Sequence, residues 1–392
     1  MATKKPSPGP RRTTSRQPAE TLPGFETEAL PGLDMEDEPQ QISREDARDQ
    51  ELWQGLRAAL RTGDPLDLLA MVSGLATMVD PRAAELFGVG DELPRIDDLV
   101  DALLRRPSRE ATAVLIALHA LAPDEQVRAR IVRALAPQRH SVPRWLSGLA
   151  EARSEQDVWR VSHVLGDTDD YLFGVTLPSG HQVSALVYVE HNSGGAVDDA
   201  LVVSGSLTEL VREVRSQFTD PDQSLTQVDG ATARAVLEQA IDLGSRLDPP
   251  PQSDSWPMCR PVVEWMLRLL PPGGSAPPRP TWSEQDLAAL ADDFFTSRFG
   301  AGLDDDDRRG LLQQVLRFGT EAGPGDPLRW SDAAAGLVLL DWFPRTDVAG
   351  PPALAQLPEL LRAFIRYAHD RRGVRPALTD EVLAAVDHTE PT

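Results

Sequence analysis

Between Asp157 and Val203 the chain changes its hydrophobic period, and this change constrains the fold more than any other feature. On either side, apolar residues recur every three or four positions, the spacing of one helical face. Inside the stretch lie four short valine-rich runs, Asp157–Leu165, Tyr171–Leu177, Gln182–His191 and Asp198–Val203, bounded by Gly, Asp, Pro and Asn. Such runs read as four strands of an antiparallel meander. The expected fold is mainly α with a central α+β module.

The flanks set the expected domain organisation. In residues 43–150, Leu52, Trp53, Leu56 and Leu60 make one apolar stripe, and Ser43 with Asp46 is placed to cap it. Further short helices follow, punctuated by Pro94, Pro107, Pro123 and Pro137. Their spacing is similar to helical-hairpin repeats of HEAT type, although no motif recurs at a constant period. The α+β module covers 151–250 and ends in two helices. Ser206 and Glu209 form a capping box ahead of the first, and Asp229 precedes the second. A connecting helix occupies 251–270, a Pro/Gly linker 271–281, and a second helical domain 282–390. Residues 1–42 read as a disordered arm, basic through Lys4, Lys5, Arg11, Arg12 and Arg16, then acidic from Glu26 to Glu38.

Several function classes are excluded by composition. Both lysines, Lys4 and Lys5, lie in the first five residues. Schiff-base enzymes, P-loop NTPases and protein kinases need a lysine amine at a fixed place in the fold, and none is present from residue 6 onward. The lone Cys259 removes multi-cysteine zinc sites and thiol redox pairs, and reads as a small packed hydrophobe. A net charge of −22 opposes broad association with nucleic acid or an anionic membrane. The longest apolar stretches fall well short of the ~20 residues that span a bilayer, and no apolar segment follows the basic N-terminus as in a secretory signal. The expected location is cytoplasmic, without membrane association, and the expected partner is a protein.

One hairpin carries the main candidate chemistry. With Gly194–Gly195 as a two-residue turn, His191 faces Asp198 and Glu190 faces Asp199 across the strands. Opposed carboxylates repel, and a divalent cation relieves the repulsion. Glu190, His191, Asp198 and Asp199 are therefore the candidate metal ligands. A four-residue loop instead puts Val197 opposite Glu190 and dissolves the pair, leaving acids at the wet rim of a hairpin. Asp304–Asp307 looks like part of a calcium loop, but Arg309 and Val315 stand where an EF-hand needs Gly and Glu, so helix capping is the better account. On Leu354–Arg372, Arg362, Arg366, Arg371 and Arg372 form a polar face. It reads as ordinary helix-dipole complementation, or as a site for nucleic acid or an acidic partner. No catalytic residue and no organic cofactor is indicated.

The stretch LPELLRAFIRYAHDRRGV (Leu357–Val374) with TDEVLAAVD (Thr379–Asp387) resembles a module of uncharacterised actinobacterial proteins. Residues Arg128–Leu270, with VYVEHNSGG and SWPMCRPVVEWMLRLLP, resemble proteins of the same group. The resemblance implies no activity, substrate or site residue. The sequence points first to a non-catalytic interaction scaffold or regulatory adaptor. Its alternatives are a divalent-cation-dependent enzyme or ligand-binding protein using the 190–199 hairpin, and a nucleic-acid-associated protein using the arginine face.

Overall fold

Among the described residues six strands form one antiparallel sheet: β1 (Arg153–Ser154), β2 (Val158–His163), β3 (Thr168–Thr176), β4 (Gln182–Glu190), β5 (Ala196–Ser204) and β6 (Gln223–Val228). The order is β5-β4-β3-β2-β6, with β1 paired to β3. The structure, a computed structural model, describes residues 44–389 apart from 84–93, 139, 156, 193, 248–252, 254 and 347–350. The arm expected over residues 1–42 and the capping role of Ser43 lie outside the described residues.

Helices α1 (Arg44–Thr62), α2 (Pro65–Thr77), α3 (Ile96–Arg105), α4 (Arg109–Leu121), α5 (Glu125–Leu135) and α6 (Arg144–Ser147) precede the sheet. After β5 come α7 (Leu207–Ser216), then β6, α8 (Gly230–Gly244) and α9 (Trp256–Leu269). The fold is mainly helical with an antiparallel sheet. Residues 223–228, QSLTQV, form an edge strand that the valine signal does not reveal. Their side chains stay exposed or half-exposed, so selection for apolar alternation is absent there.

The sequence divides residues 43–270 into a helical layer, an α+β module and a connecting helix, but one hydrophobic core runs through all three. It holds Trp53, Leu68, Leu118, Phe173, Leu237 and Met266. Helix α9 links the parts, and an internal proline explains how. Pro261 has no N–H, which frees the carbonyl four residues earlier. The Thr77 hydroxyl donates to that Pro257 carbonyl at 2.7 Å, and Ser73 Oγ donates to the Met258 carbonyl at 2.6 Å. Helix α2 thereby satisfies the Pro257 carbonyl, which Pro261 leaves without its intrahelical donor.

The opposite face of the sheet is covered by α7, through Val161, Leu172, Leu186, Leu207 and Val211. Its capping box forms as the spacing predicts. Ser206 Oγ accepts from the Glu209 N–H at 3.2 Å, and Glu209 Oε2 accepts from the Ser206 N–H at 3.2 Å. Ser206→Ala is expected to cost about 1 kcal/mol, read as a lower urea midpoint with unchanged slope. An unchanged midpoint would show that water replaces the cap.

A second core lies in the C-terminal helices α10 (Glu284–Thr296), α11 (Asp306–Arg317), α12 (Asp332–Leu337), α13 (Phe343–Arg345), α14 (Pro351–Leu354), α15 (Leu357–Arg372) and α16 (Pro376–Thr389). Phe294, Leu312, Trp330, Phe364 and Ile365 are its centre. Asp305 caps α11 by accepting from the Arg308 N–H at 2.9 Å, so the acidic run 304–307 serves a helix start. Leu165, in the turn after β2, is buried with this second cluster. The 271–281 segment lies against α8, where a Cβ on Gly274 would overlap the Ala231 carbonyl. No helix among the described residues is long and apolar enough to cross a membrane.

Candidate functional site

Two hairpin tips emerge from the same end of the sheet, because β2–β3 and β4–β5 run in the same sense. Each tip carries a glycine with positive φ, Gly166 (75°) in the first and Gly195 (84°) in the second. A side chain at either position would be strained, and it would also meet a guanidinium. A Cβ on Gly166 would overlap Arg329, and a Cβ on Gly195 would overlap Arg279. Each tip is therefore a seat for an arginine arriving from the C-terminal part of the chain.

These seats border a cleft of about 450 Å³. Its walls are the sheet end, α8, the segment around Pro277–Pro280, the Pro324–Asp326 loop and the end of α15. Four arginines line it (Arg160, Arg279, Arg329 and Arg372) against two carboxylates, Asp169 and Asp326. The cleft carries a surplus of two positive charges in a chain of net charge −22.

The charged groups differ in how far they are satisfied. Arg372 Nη1 donates to Asp326 Oδ2 at 2.8 Å. Asp169 Oδ2 lies 3.1 Å from His191 Nε2 and 3.9 Å from Arg160 Nη1. Arg160 Nε is buried with no partner among the described residues. Burial, with the Asp169 charge, pushes the neighbouring Tyr171 hydroxyl up to about 12. Arg279 donates to the Gly194 carbonyl, a neutral acceptor.

Arg329 is the outlier. It is half-buried, and among the described residues its guanidinium has no hydrogen bond and no carboxylate within 4.0 Å. Burial first, then the Arg372 charge, lower its pKa, partly opposed by Asp326, Asp169 and Asp167. An arginine stays charged under such pressure, so the cost remains as an unmet demand for an anion. The loop that holds it is firm. Trp330 is 1% exposed and donates from Nε1 to the Pro327 carbonyl at 2.9 Å. His369 Nε2 holds the Trp330 carbonyl at 2.8 Å. His369 itself is 1% exposed, so it belongs to the core of α15 and not to its polar face.

The hairpin register separates the four candidate metal ligands. Glu190 pairs with Ala196 and Val189 with Val197; a bulge then leaves Asp198 unpaired and sets Asp199 opposite Tyr188. Neither expected register forms, and the facing acid pairs are absent. The loop is longer than a two-residue turn because His191 and Asn192 bind the neighbouring hairpin. The His191 N–H donates to the Asp167 carbonyl at 2.7 Å, and Asn192 Nδ2 to Asp167 Oδ1 at 2.8 Å. Glu190 instead accepts from the Asn192 N–H at 2.6 Å, with burial pushing its pKa up. Asp199 accepts from Ser255 Oγ at 2.6 Å, at the start of α9. Of the four, His191 lines the cleft.

Among the described residues one group, His163, Asp220 and Asp222, has ligand atoms within 4.8 Å of one another. Arg375 already holds Asp222 at 2.5 Å, which supplies the charge a cation would bring.

The arginine face of α15 is largely turned onto its own chain. Arg362 binds Asp387 at 2.6 Å, Arg371 binds the Tyr367 hydroxyl at 2.9 Å and Asp293 at 3.3 Å, and Arg372 belongs to the cleft. Arg366 is exposed. Sequence reasoning missed Arg160, Arg279 and Arg329. The sequence shows a glycine in each hairpin loop and prolines around Arg279 and Arg329, but nothing that brings these residues together. No protein-family model matches this chain, and no curated protein or solved structure does.

Proposed function

We propose that the protein is a non-catalytic regulatory adaptor of the cytoplasm that binds a small anionic ligand in the arginine cleft. The observation carrying this reading is Arg329, a half-buried guanidinium with no anionic partner among the described residues, facing a cleft with a surplus of two positive charges. An anion there forms charge-assisted hydrogen bonds with Arg329, whose desolvation has already been incurred on folding. The lining, among the described residues, offers arginines, histidines, acids and Tyr171, whose hydroxyl burial keeps protonated, but no serine, threonine, cysteine or lysine nucleophile. That set suits recognition better than group transfer.

The origin of the walls supports an adaptor role. The sheet end and α8 belong to the first core, whereas Arg329 and Arg372 are carried by the second. A ligand held by both would stiffen their junction, which is how a small molecule alters a surface elsewhere. The test is thermal unfolding of the full chain with sulfate at constant ionic strength, in wild type and Arg329→Gln. Wild type should gain about 2 °C or more with saturation, and the variant should lose the saturable part. Equal shifts in both proteins would reduce the effect to general salt stabilisation and overturn the reading.

A further inference from the structure

The two surplus charges are not in one place. Arg329 sits on the tip of the β2–β3 hairpin and Arg279 on the tip of the β4–β5 hairpin. With the order β5-β4-β3-β2, the centres of these hairpins are two strand spacings apart, about 10 Å at 4.7–4.9 Å per strand. Between them stands Asp169, already engaged by His191 and Arg160. A single compact anion cannot meet both guanidiniums at that spacing, and negative charge midway would face Asp169.

The space between the seats is floored in part by apolar side chains. Val189 is 1% exposed and Ala240 3%, and Val236 lies beside them on α8. At about 450 Å³ the cleft falls within the range of small-molecule sites and far exceeds one tetrahedral ion. The arrangement is two cationic ends with an apolar strip beside Asp169 between them.

Charge balance selects the end groups. One guanidinium without a carboxylate partner stands at each tip, so one negative charge per end completes the count. Two carboxylates meet that requirement, and each matches the planar fork of an arginine. Two phosphate monoesters would bring roughly twice the charge. Resting on the anion-binding reading, we infer that the cleft takes an elongated dicarboxylate, its carboxylates about 10 Å apart on Arg329 and Arg279 and its apolar chain over Val189, Val236 and Ala240.

Calorimetric titration of the full chain with the α,ω-dicarboxylates from succinate to sebacate, each beside the monocarboxylate of equal length, tests this. Affinity should peak at an intermediate length, with the matching monocarboxylate weaker by about tenfold or more, since a hydrogen-bonded charge contributes on that order. Arg329→Gln and Arg279→Gln should each reduce the best dicarboxylate to the level of its monocarboxylate, while retaining the wild-type circular dichroism. Monocarboxylates equal to dicarboxylates, or affinity independent of length, would overturn the two-ended ligand. If sulfate still binds in an Arg329-dependent way, the anion site itself stands. No response to any of these anions or to sulfate would remove both readings.

Discussion

Asp80→Ala is expected to lower the unfolding free energy by about 3–5 kcal/mol. The carboxylate lies at the end of α2, where Arg260 from α9 donates to it at 2.8 Å and Arg82 at 2.9 Å. The Arg260 side chain is 5% exposed, and its Nε is buried without a partner. Truncating Asp80 strands this guanidinium, and the loss of a partner to a buried charge is where such pairs have their largest effect. Arg260→Met in the wild-type background should cost much less, because Asp80 keeps Arg82. The double variant Asp80→Ala/Arg260→Met should recover most of the stability, a non-additivity that a double-mutant cycle in urea measures. If the single costs simply add, the two residues do not act as a pair.

The same carboxylate sets an acid limb. Burial alone would raise its pKa, but the Arg82 hydrogen bonds and the Arg260 and Arg82 charges outweigh burial and hold it low. Its stabilisation is complete above the ordinary aspartate value of 3.8 and is lost as the pH falls through the lower folded value.

What was legible in the sequence follows the range of the interactions involved. β2 to β5 announce themselves through valine, because a sheet buried on one or both faces demands it locally. Ser206–Glu209, Ser283–Asp286 and Asp305 show helix starts within four residues of chain. β6 does not show, since a polar edge strand carries no pattern beyond that of a loop. Residues 190–199 read as a hairpin in the sequence, but their register differs from the one the glycines imply. Two glycines suggest a tight turn, but the side chain of Asn192 and the backbone of His191 bind Asp167, outside the hairpin. Residues 271–281 contain nothing that looks like core, yet Gly274 packs against the backbone of α8 because it has no side chain.

The cleft lay beyond sequence reasoning for a different reason. Its arginines come from positions 160, 279, 329 and 372, and no short window contains two of them. In a chain that uses arginine for nearly every basic position, none of the four stands out. In the sequence Arg372 reads as part of a helix face, and His191 as part of an acidic hairpin. Their association with Arg329 and Arg279 depends on Leu165 entering the second core, which brings Gly166 beneath Arg329. That is a tertiary event with no local signature.

Asp170→Asn is expected to stabilise the protein by about 1–3 kcal/mol at pH 8 and by almost nothing below about pH 4. Asp170 lies in β3 between Val161 and Tyr188, on the α7 face of the sheet. Its Oδ1 is buried with no hydrogen-bond partner among the described residues. Burial raises its pKa to about 6, with a further push from Asp169, against a lowering hydrogen bond from Thr168. Between the ordinary value of 3.8 and about 6 the folded protein keeps a proton that the unfolded chain has released. Stability therefore falls as pH rises through this window, and above it the whole penalty is present. A shift of that size corresponds to at most about 3 kcal/mol, reduced by the water that still reaches the carboxyl. Asparagine keeps the shape and removes the charge, so the variant and wild type should converge in acid and diverge in base. The difference in urea midpoint between the two proteins, taken at pH 4, 6 and 8, isolates Asp170, because other titrating groups are common to both. A constant difference across the three values would mean that the substitution changes packing and not charge. A variant less stable than wild type at pH 8 would mean that the ionised carboxylate is held by the fold, which the unpartnered Oδ1 argues against.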